Sequence, residues 1–285
     1  MKAGADLKLK DLIEGYKLEI IKGDIDVNIT GIEHDSRKIQ RDNMFIAIEG
    51  FTVDGHDYID EAVERGASCI LVQKDVEVEE NGVTVIKVDD TLLSLAKFSS
   101  LFYGEPSKKL NLVGVTGTNG KTSITYLIRN IFEACHRKTG IIGTMGTLID
   151  DRAVDNINTT PESSLIQRYL REMVDQDIQY CVMEVSSHSL DLKRVEYMDF
   201  QVGIFTNLTE DHLDYHKNME NYYRSKLRLF NMTSRCNIIN VDDKYGNRIL
   251  QELENDTPLI TYGIVREADI YATDIVCHTK GVKFV

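Results

Sequence analysis

The stretch GVTGTNGKTS, residues 114–123, sets three glycines and one lysine among four hydroxyl side chains. It follows the apolar run 110–115 and precedes a segment with helical periodicity. Glycines allow successive backbone N–H groups to turn toward an anion, and the start of a helix adds a partial positive charge. The stretch therefore predicts a phosphate-binding loop rather than a purely structural turn.

The loop departs in one place from the strict pattern GxxxxGK[ST], because Val115 stands where that pattern has glycine. The inner residues G-T-N-G-K-T remain, with a strand and a helix on the correct sides. Lys121 is expected to reach the β- and γ-phosphates of a nucleotide, and Thr122 to hold Mg²⁺. The predicted nucleotide-binding residues are Thr116, Gly117, Thr118, Asn119, Gly120, Lys121 and Thr122.

The segments around this loop alternate between strand and helix. The runs YCVMEVSS, VGIFTNL and CNIINVDD are strand-like, and each ends in polar residues. In TSITYLIRNIFEA the apolar residues recur with helical spacing and form one stripe. This stripe consists of Ile124, Leu127, Ile128, Ile131 and Phe132. The pattern predicts a doubly wound, mostly parallel sheet that binds ligands where its strands end.

The first hundred residues form a shorter α/β alternation, with strand-like DNMFIAIEG, SCILVQ and GVTVIKV between helical segments. The polar stretch GEPSKKL, residues 104–110, carries one of three prolines and marks the expected boundary. We predict an α/β protein with a small N-terminal domain over 1–107 and a central domain over 108–285. The final residues HTKGVKFV are expected to lie on a strand of a central domain that is incomplete at its C-terminal end.

Composition limits the possible partners. A net charge of −13 argues against a general nucleic-acid surface and against an anionic membrane surface. Five scattered cysteines without a CxxC pair are typical of reduced thiols in a cytosolic protein. The N-terminus has no apolar core of a signal peptide, and no run of about 18 apolar residues occurs. We expect a cytoplasmic monomer with no membrane insertion.

The loop, with asparagine before Gly-Lys, resembles the ATP loop of the Mur ligases, which build the peptide of bacterial cell-wall precursors. The N-terminal segment from HDSRKIQRD through GFTVDGH to ASCILV resembles the domain of this family that binds a uridine nucleotide. NTTPES, MEVSSHSLDLKRV and FTNLTEDHLDYHKNMENYYRSK resemble the MurE type within the family. The resemblance runs in order from about residue 32 to the end of the chain.

The resemblance implies an ATP-dependent amide ligase of peptidoglycan precursor synthesis. The carboxylate of UDP-MurNAc-L-Ala-D-Glu would be phosphorylated, and the amine of a diamino acid would attack the acyl phosphate. The partners would be this UDP-MurNAc-dipeptide and either meso-diaminopimelate or L-lysine, with ATP and Mg²⁺ required. Phosphoryl transfer of this kind depends on metal and cations around the γ-phosphate more than on a nucleophilic side chain. Family members have a further C-terminal domain that brings the amino acid, so this chain alone is expected to bind substrates without turnover.

The resemblance also assigns catalytic roles to Lys121, Glu184, His212 and Lys226, and a metal site to Thr122, Glu184, His212 and Lys226. Glu184 ends a strand-like run, where a sheet presents ligands. The sequence around His212, DHLDYH, does not have the HExxH spacing of a zinc site. The assignment of His212 therefore depends on its position in the family motif. The counterpart of Lys226 is carbamylated by CO₂ in the family, which replaces an ammonium that Mg²⁺ would repel. By residue type alone Lys226 is an ordinary exposed lysine on a helix face.

The substrate contacts are implied by position in the same way. Ser36, Phe51, Thr52 and Val53 match positions that contact uracil and the diphosphate. The positions near the muramoyl-peptide are matched by Asn158, Thr159, Thr160, Ser186 and Arg194. The hydroxyls before Pro161 also suit turn and cap chemistry. Leu192 stands where some relatives have glutamine, so one hydrogen bond to substrate is missing from the pattern.

Three other functions remain open at this point. A MurF-type ligase is disfavoured by EVSSHSLDLKRV, and a folylpolyglutamate-type ligase is disfavoured by the N-terminal DSRK and DGH motifs. A catalytically silent UDP-substrate-binding module would bind the UDP-sugar-peptide but not ATP. ATP·Mg²⁺ binding that depends on Lys121 therefore separates a ligase from such a module.

Overall fold

The computed structural model describes residues 7–150, 152–253, 255–279 and 281–285. The described chain divides into two compact units. Unit 1 takes the residues up to Pro106 together with Glu162–Arg171 and Leu192–Tyr197, and unit 2 takes the remaining residues from Ser107 to Val285. The domain limits 1–107 and 108–285 remain a prediction.

Unit 1 is built on a five-stranded sheet in the order β2-β7-β6-β5-β4. The strands β4 to β7 are parallel, β2 is antiparallel to β7, and β1 pairs separately with β3. The strands are β1 (Leu7–Lys8), β2 (Glu19–Lys22), β3 (Asn28–Ile29), β4 (Gly31–Glu33), β5 (Asn43–Ile46), β6 (Cys69–Val72) and β7 (Thr84–Lys87). The helices are α1 (Leu9–Ile13), α2 (Ile59–Glu64) and α3 (Thr91–Phe102).

Side chains alternate between the two faces of this sheet and form two apolar clusters. Met44 and Ile46 of β5 pack in a cluster with Phe98 of α3. Phe45, between them in sequence, packs on the opposite face with Ile59 of α2. Helices therefore cover both faces of the sheet, which explains the continuous apolar runs that mark its strands.

Unit 2 contains the larger sheet. Its strands, with those of the small C-terminal hairpin, are β8 (Asn111–Thr116), β9 (Thr139–Gly143), β10 (Gly146–Ile149), β11 (Arg152–Val154), β12 (Tyr180–Glu184), β13 (Phe200–Phe205), β14 (Thr233–Asn240), β15 (Leu259–Gly263), β16 (Ile270–Tyr271), β17 (Val276–His278) and β18 (Gly281–Lys283). The helices that follow α3 along the chain are α4 (Lys121–Ala134), α5 (Ser163–Asp175), α6 (Ser187–Asp191), α7 (Leu213–His216), α8 (Met219–Asn231) and α9 (Lys244–Glu252). Helix α5 is divided between the two units.

The nine strands of this sheet follow the order β11-β10-β9-β12-β8-β13-β14-β15-β16. Strands β9, β12, β8, β13, β14, β15 and β16 are parallel, and β10 and β11 add an antiparallel edge. The predicted mostly parallel α/β fold is thereby confirmed. Glu184 pairs with Val115, and Phe205 pairs with Thr116, so β12, β8 and β13 end side by side at one edge.

The apolar stripe predicted for α4 differs in one respect from the structure. Leu127 and Ile131 of α4 are each 61% exposed, while Ile124, Ile128 and Phe132 pack against the sheet. The predicted apolar stripe of α4 thus includes two residues that lie outside the part of the helix packed against the sheet.

The strand predicted near the end of the chain is present within unit 2. Among the described residues, β17 and β18 pair with each other as an antiparallel hairpin and are not part of the nine-stranded sheet.

Helix α8 places a lysine on its buried side. Asn218 caps the helix by accepting a hydrogen bond from the N–H of Asn221. Tyr222, Tyr223 and Phe230 are buried on the inner face, and Lys226 shares this face at 2% exposure. The reading of Lys226 as an exposed helix lysine is therefore wrong.

Across the residues that the structure describes, no helix is both long enough and apolar enough to span a membrane.

Candidate functional site

The glycine-rich loop joins the end of β8 to the start of α4. Gly117 has φ +149° and Gly120 has φ +87°, values that residues with a Cβ rarely adopt. Helix α4 begins at Lys121, and its first N–H groups have no acceptor within the helix. The loop therefore directs backbone donors and a helix terminus toward one point, which is the geometry of an anion site.

Two lysines converge on the carbonyl of Gly117. Lys121 Nζ donates to Gly117 O at 3.0 Å and to Thr118 O at 2.9 Å. Lys226 Nζ donates to the same Gly117 O at 2.9 Å and lies 4.7 Å from the centre of the Tyr222 ring. Burial lowers the pKa of Lys121, although Glu184 and Asp211 oppose this effect. Burial, reinforced by the positive charge of Lys121, holds the pKa of Lys226 well below its ordinary value.

Glu184, at the end of β12, faces the first turn of α4. The Thr122 hydroxyl lies 3.0 and 2.9 Å from its two carboxylate oxygens. Thr144 donates to the same carboxylate through its N–H at 2.9 Å and its hydroxyl at 3.1 Å. Glu184 is 1% exposed, so these donors replace the water that an ionised carboxylate requires.

The predicted metal site can be tested against the oxygen atoms that the structure places beside the loop. Thr122 and Glu184 present oxygen atoms beside the phosphate loop, and a hard cation such as Mg²⁺ prefers oxygen ligands. Among the described residues, no group of three His, Cys, Asp or Glu side chains is placed to hold a metal ion. Magnesium typically takes only one or two protein carboxylates and completes its shell with phosphate and water. The donors present fit Mg²⁺, and the full predicted ligand set remains a prediction.

His212 lies farther out on the same unit. Its backbone has φ +52°, and its side chain is 49% exposed beside Asp211. Its ring lies 4.9 Å from that of His188 and 6.3 Å from that of Tyr222. Since the Tyr222 hydroxyl lies 3.2 Å from Thr118 Oγ1, His212 is connected to the phosphate loop through one aromatic side chain.

The predicted peptide-contacting hydroxyls of unit 2 surround Glu184. Thr160 is buried and donates to Glu184 O at 2.8 Å, and its Oγ1 accepts from the N–H of Ser186 at 3.1 Å. Thr159 Oγ1 lies 3.0 Å from Thr144 Oγ1. Asn158 is exposed. The structure thus brings Thr159, Thr160 and Ser186 together with the carboxylate that binds Thr122.

Unit 1 contains a separate cavity of about 700 Å³. Four of the predicted substrate-contacting residues line it: Ser36, Phe51, Val53 and Arg194. Leu192 lines it as well, whereas Thr52 is not among the lining residues. Phe51 is 82% exposed, so most of a large apolar side chain faces solvent at this cavity.

The polar groups of this cavity are held by neighbouring carboxylates. Ser36 Oγ donates to Glu61 Oε2 at 2.6 Å, and Arg194 forms an ion pair with Glu162. His34 also lines the cavity, and burial lowers the pKa of its imidazole, so the ring is neutral at pH 7. A guanidinium beside a neutral imidazole and an exposed aromatic ring suits an anionic ligand that carries a planar base.

Sequence reasoning missed several residues of these two sites. His34 and Glu162 lie inside the quoted segments HDSRKIQRD and NTTPES, and their position next to predicted contacts was the available signal. Thr144, Asn207 and Tyr222 contact the phosphate loop or Glu184 from distant parts of the chain. For Asn207 the signal was a polar side chain directly after a buried strand.

Comparison with known proteins identifies two matching family profiles. Residues 115–285 match the Mur ligase middle domain. Residues 28–103 match the profile described as the catalytic domain of the Mur ligase family. Together the two matches take in both the phosphate loop and most of unit 1.

Curated relatives match over nearly the whole chain. A protein of Alkaliphilus oremlandii named UDP-N-acetylmuramoyl-L-alanyl-D-glutamate–2,6-diaminopimelate ligase is 48% identical over 277 residues, or 97% of this chain and 56% of its own. A Clostridium acetobutylicum protein with the same name, numbered 1, is 47% identical over 98% of this chain and 57% of its own. This chain therefore spans a little more than half the length of these relatives.

Solved structures show the same fold. A structure titled as the same 2,6-diaminopimelate ligase superposes with a TM-score of 0.82 at 23% identity, covering 98% of this chain and 57% of its own. MurF from Acinetobacter baumannii superposes with a TM-score of 0.69 at 20% identity, covering 99% and 61%. At these identities the likeness concerns the fold alone.

Proposed function

The chain belongs to the Mur ligase family, and from this premise we propose that it is the substrate- and nucleotide-binding part of an ATP-dependent amide ligase. The reaction joins a diamino acid to UDP-MurNAc-L-Ala-D-Glu in peptidoglycan precursor synthesis. The names of the relatives favour 2,6-diaminopimelate over L-lysine as the amino acid. A cytoplasmic, monomeric protein fits this role.

One observation carries the proposal: the phosphate loop, Lys121 and the Thr122–Glu184 pair occupy one edge of the sheet. Backbone N–H groups at the start of α4 bind the phosphates of ATP, and Lys121 neutralises charge on the terminal phosphate. The substrate carboxylate then attacks the γ-phosphorus, the bond to the β-phosphate oxygen breaks, and ADP leaves. The amine of the diamino acid attacks the acyl carbon, loses a proton, and releases inorganic phosphate.

Mg²⁺ would be held by Thr122 and Glu184, and the family resemblance adds His212 and Lys226. When bound, the metal ion neutralises charge on the β- and γ-phosphate oxygens. Glu184 is kept in place by Thr144, which donates to it twice, so its carboxylate faces the loop without reorganisation. The residues of this chain thus pre-form the oxygen donors at the point where phosphate binds.

Lys226 is proposed to carry a carbamate. The ammonium groups of Lys226 and Lys121 would share the carbonyl of Gly117 as acceptor. Two positive charges at such a short separation repel each other. A neutral amine adds to CO₂, forming an N–C bond and releasing a proton to solvent. The product carries a negative charge and two oxygens, which Lys121 stabilises and which suit a magnesium ion.

A calorimetric titration of this chain tests the function directly. The chain is expected to bind UDP-MurNAc-L-Ala-D-Glu and, separately, ATP·Mg²⁺. Tight binding of the UDP-substrate with no heat from ATP·Mg²⁺ would instead support a silent substrate-binding module. Failure to bind either ligand would contradict both functions.

The cavity of unit 1 yields a first mutational prediction. Replacing Arg194 by alanine should weaken binding of UDP-MurNAc-L-Ala-D-Glu by roughly 10- to 100-fold, because one charge-assisted hydrogen bond is worth about 1.5–3 kcal/mol. The calorimetric Kd for ATP·Mg²⁺ should stay unchanged. Arg41→Ala, which removes an exposed arginine of unit 1 outside the cavity, is the matched control. Equal affinities for both variants would contradict a role for Arg194 in binding.

A further inference from the structure

The phosphate loop is held by a second segment, residues 206–209, which we call the strap. The strap directly follows β13, whose last residue pairs with the end of β8. The N–H of Thr206 donates to Thr116 O at 3.0 Å, which continues the strand pairing by one step. The strap therefore begins at the same edge of the sheet as the phosphate loop and runs beside it.

Asn207 binds the loop through both ends of its side-chain amide. Its Oδ1 accepts from the N–H of Asn119 at 3.0 Å, and its Nδ2 donates to Asn119 O at 3.1 Å. Its own backbone oxygen accepts from the N–H of Thr118 at 2.8 Å. One residue thus satisfies three backbone groups of the loop.

The neighbours of Asn207 add further hydrogen bonds between the strap and the phosphate loop. Thr206 Oγ1 donates to Asn119 O at 2.7 Å, and Thr209 N–H donates to Thr118 Oγ1 at 3.0 Å. A Cβ at Gly117 would lie 1.9 Å from Thr206 Oγ1, so the loop approaches the strap as closely as glycine permits.

The strap itself is held by hydrogen bonds to two other elements of unit 2. Asn240, at the end of β14, donates to Thr206 O at 2.7 Å. Asp243, which caps α9, accepts from the N–H of Leu208 at 2.9 Å. Because its partners belong to a strand end and a helix cap, the strap is a rigid support rather than a loose loop.

These contacts divide the donors of the phosphate loop into two sets. The N–H groups of Thr118 and Asn119 are used by the strap. Those of Gly120, Lys121 and Thr122 follow at the start of α4, where a helix directs N–H groups outward along its axis. Fixing the first pair determines the direction in which the second set faces.

We infer that Asn207 is a positioning residue that holds the phosphate loop in its anion-binding shape before nucleotide arrives. The inference rests on the proposed function, since it concerns the same nucleotide site. A loop fixed in advance does not lose conformational freedom on binding, so its support contributes to affinity without touching the ligand. Asn207 makes this contribution through hydrogen bonds and not through packing alone.

Two replacements of Asn207 test this inference on the intact 285-residue chain. Asn207→Ala removes both amide bonds, and Asn207→Asp keeps the size of the side chain but replaces the donor to Asn119 O with a negative oxygen. Asn207→Ala loses two hydrogen bonds of about 1 kcal/mol each and should bind ATP·Mg²⁺ at least about tenfold more weakly by calorimetry. Asn207→Asp loses one and should bind about fivefold more weakly. Asn130→Ala, on the exposed side of α4, is the matched control and should bind as the unaltered chain does.

A second measurement separates positioning from general stability. Hydrogen exchange of the 116–123 backbone should accelerate in Asn207→Ala, while UDP-MurNAc-L-Ala-D-Glu binding in unit 1 stays the same. ATP affinities of both variants within twofold of the unaltered chain would overturn the inference and leave the proposed function standing. Absence of ATP binding by the unaltered chain would overturn both.

Discussion

Replacing Lys121 by alanine is expected to weaken ATP·Mg²⁺ binding by at least about 100-fold, while binding of UDP-MurNAc-L-Ala-D-Glu is unaffected. Lys121 is the half-buried cation of the phosphate loop, and its Nζ donates to Gly117 O and Thr118 O. Terminal phosphate oxygens are stronger acceptors than these carbonyls, and a charge-assisted hydrogen bond is worth about 1.5–3 kcal/mol. Two such bonds account for the expected loss. Calorimetric titration with each ligand measures both effects in one preparation.

The matched control is Lys138→Ala, which removes an exposed lysine of unit 2 just before β9. It changes the net charge by the same amount, so it corrects for any long-range effect of charge on nucleotide binding. Retained ATP affinity in Lys121→Ala would contradict the assignment of the loop as the phosphate site. A parallel loss in the control would assign the effect to overall charge.

Much of the fold was predictable because its signals are local. The apolar run, glycine loop and helix around Lys121 lie within one short segment, and each part constrains the next. Glu184 was predictable for a similar reason, since a carboxylate at the end of a buried parallel strand lies where such sheets bind ligands. That β12 pairs with β8, in the register that places Glu184 beside Thr122, is known only from the structure.

The supports of the site were not predictable, because they depend on contacts between distant residues. Asn207 and Asn119 are 88 positions apart, and Thr144 and Glu184 are 40 apart. Which strand neighbours β8 is decided by the packing of the whole sheet. A single sequence shows that Asn207 follows a strand but not that this strand ends beside the phosphate loop.

The burial of Lys226 was partly predictable from the sequence. Type alone favours an exposed lysine, and that expectation was wrong. The helical spacing nevertheless carried a signal, since Tyr222 and Phe230 lie four residues on either side of Lys226. Residues at i and i+4 share a helix face, so a lysine between two aromatic residues is placed on the buried side.

The second large effect is expected for Lys226→Met, which should raise the free energy of unfolding near neutral pH in CO₂-depleted buffer by about 1–3 kcal/mol. Methionine fills a similar volume and needs no hydration, whereas the buried amine has one carbonyl partner and faces the charge of Lys121. The folded-state pKa of Lys226 is lowered, so the unfolded chain binds the proton more tightly. Stability of the unaltered chain is therefore lowest below the folded-state pKa and rises with pH toward the ordinary lysine pKa. The advantage of the methionine variant should shrink over that same interval, as urea unfolding at several pH values can measure.

The same substitution tests the carbamate. With ¹³C-labelled CO₂, the unaltered chain should give a carbamate carbon signal that Lys226→Met lacks and that the control Lys138→Met retains. A signal that survives in Lys226→Met would place the modification elsewhere, and its absence from the CO₂-saturated unaltered chain would refute it. A methionine variant that is less stable than the unaltered chain would show that the buried amine is well compensated by Gly117 and Tyr222. If both expectations hold, the fold keeps at this position a group that costs stability, and the chemistry of a carbamate beside the phosphate loop explains why it is a lysine.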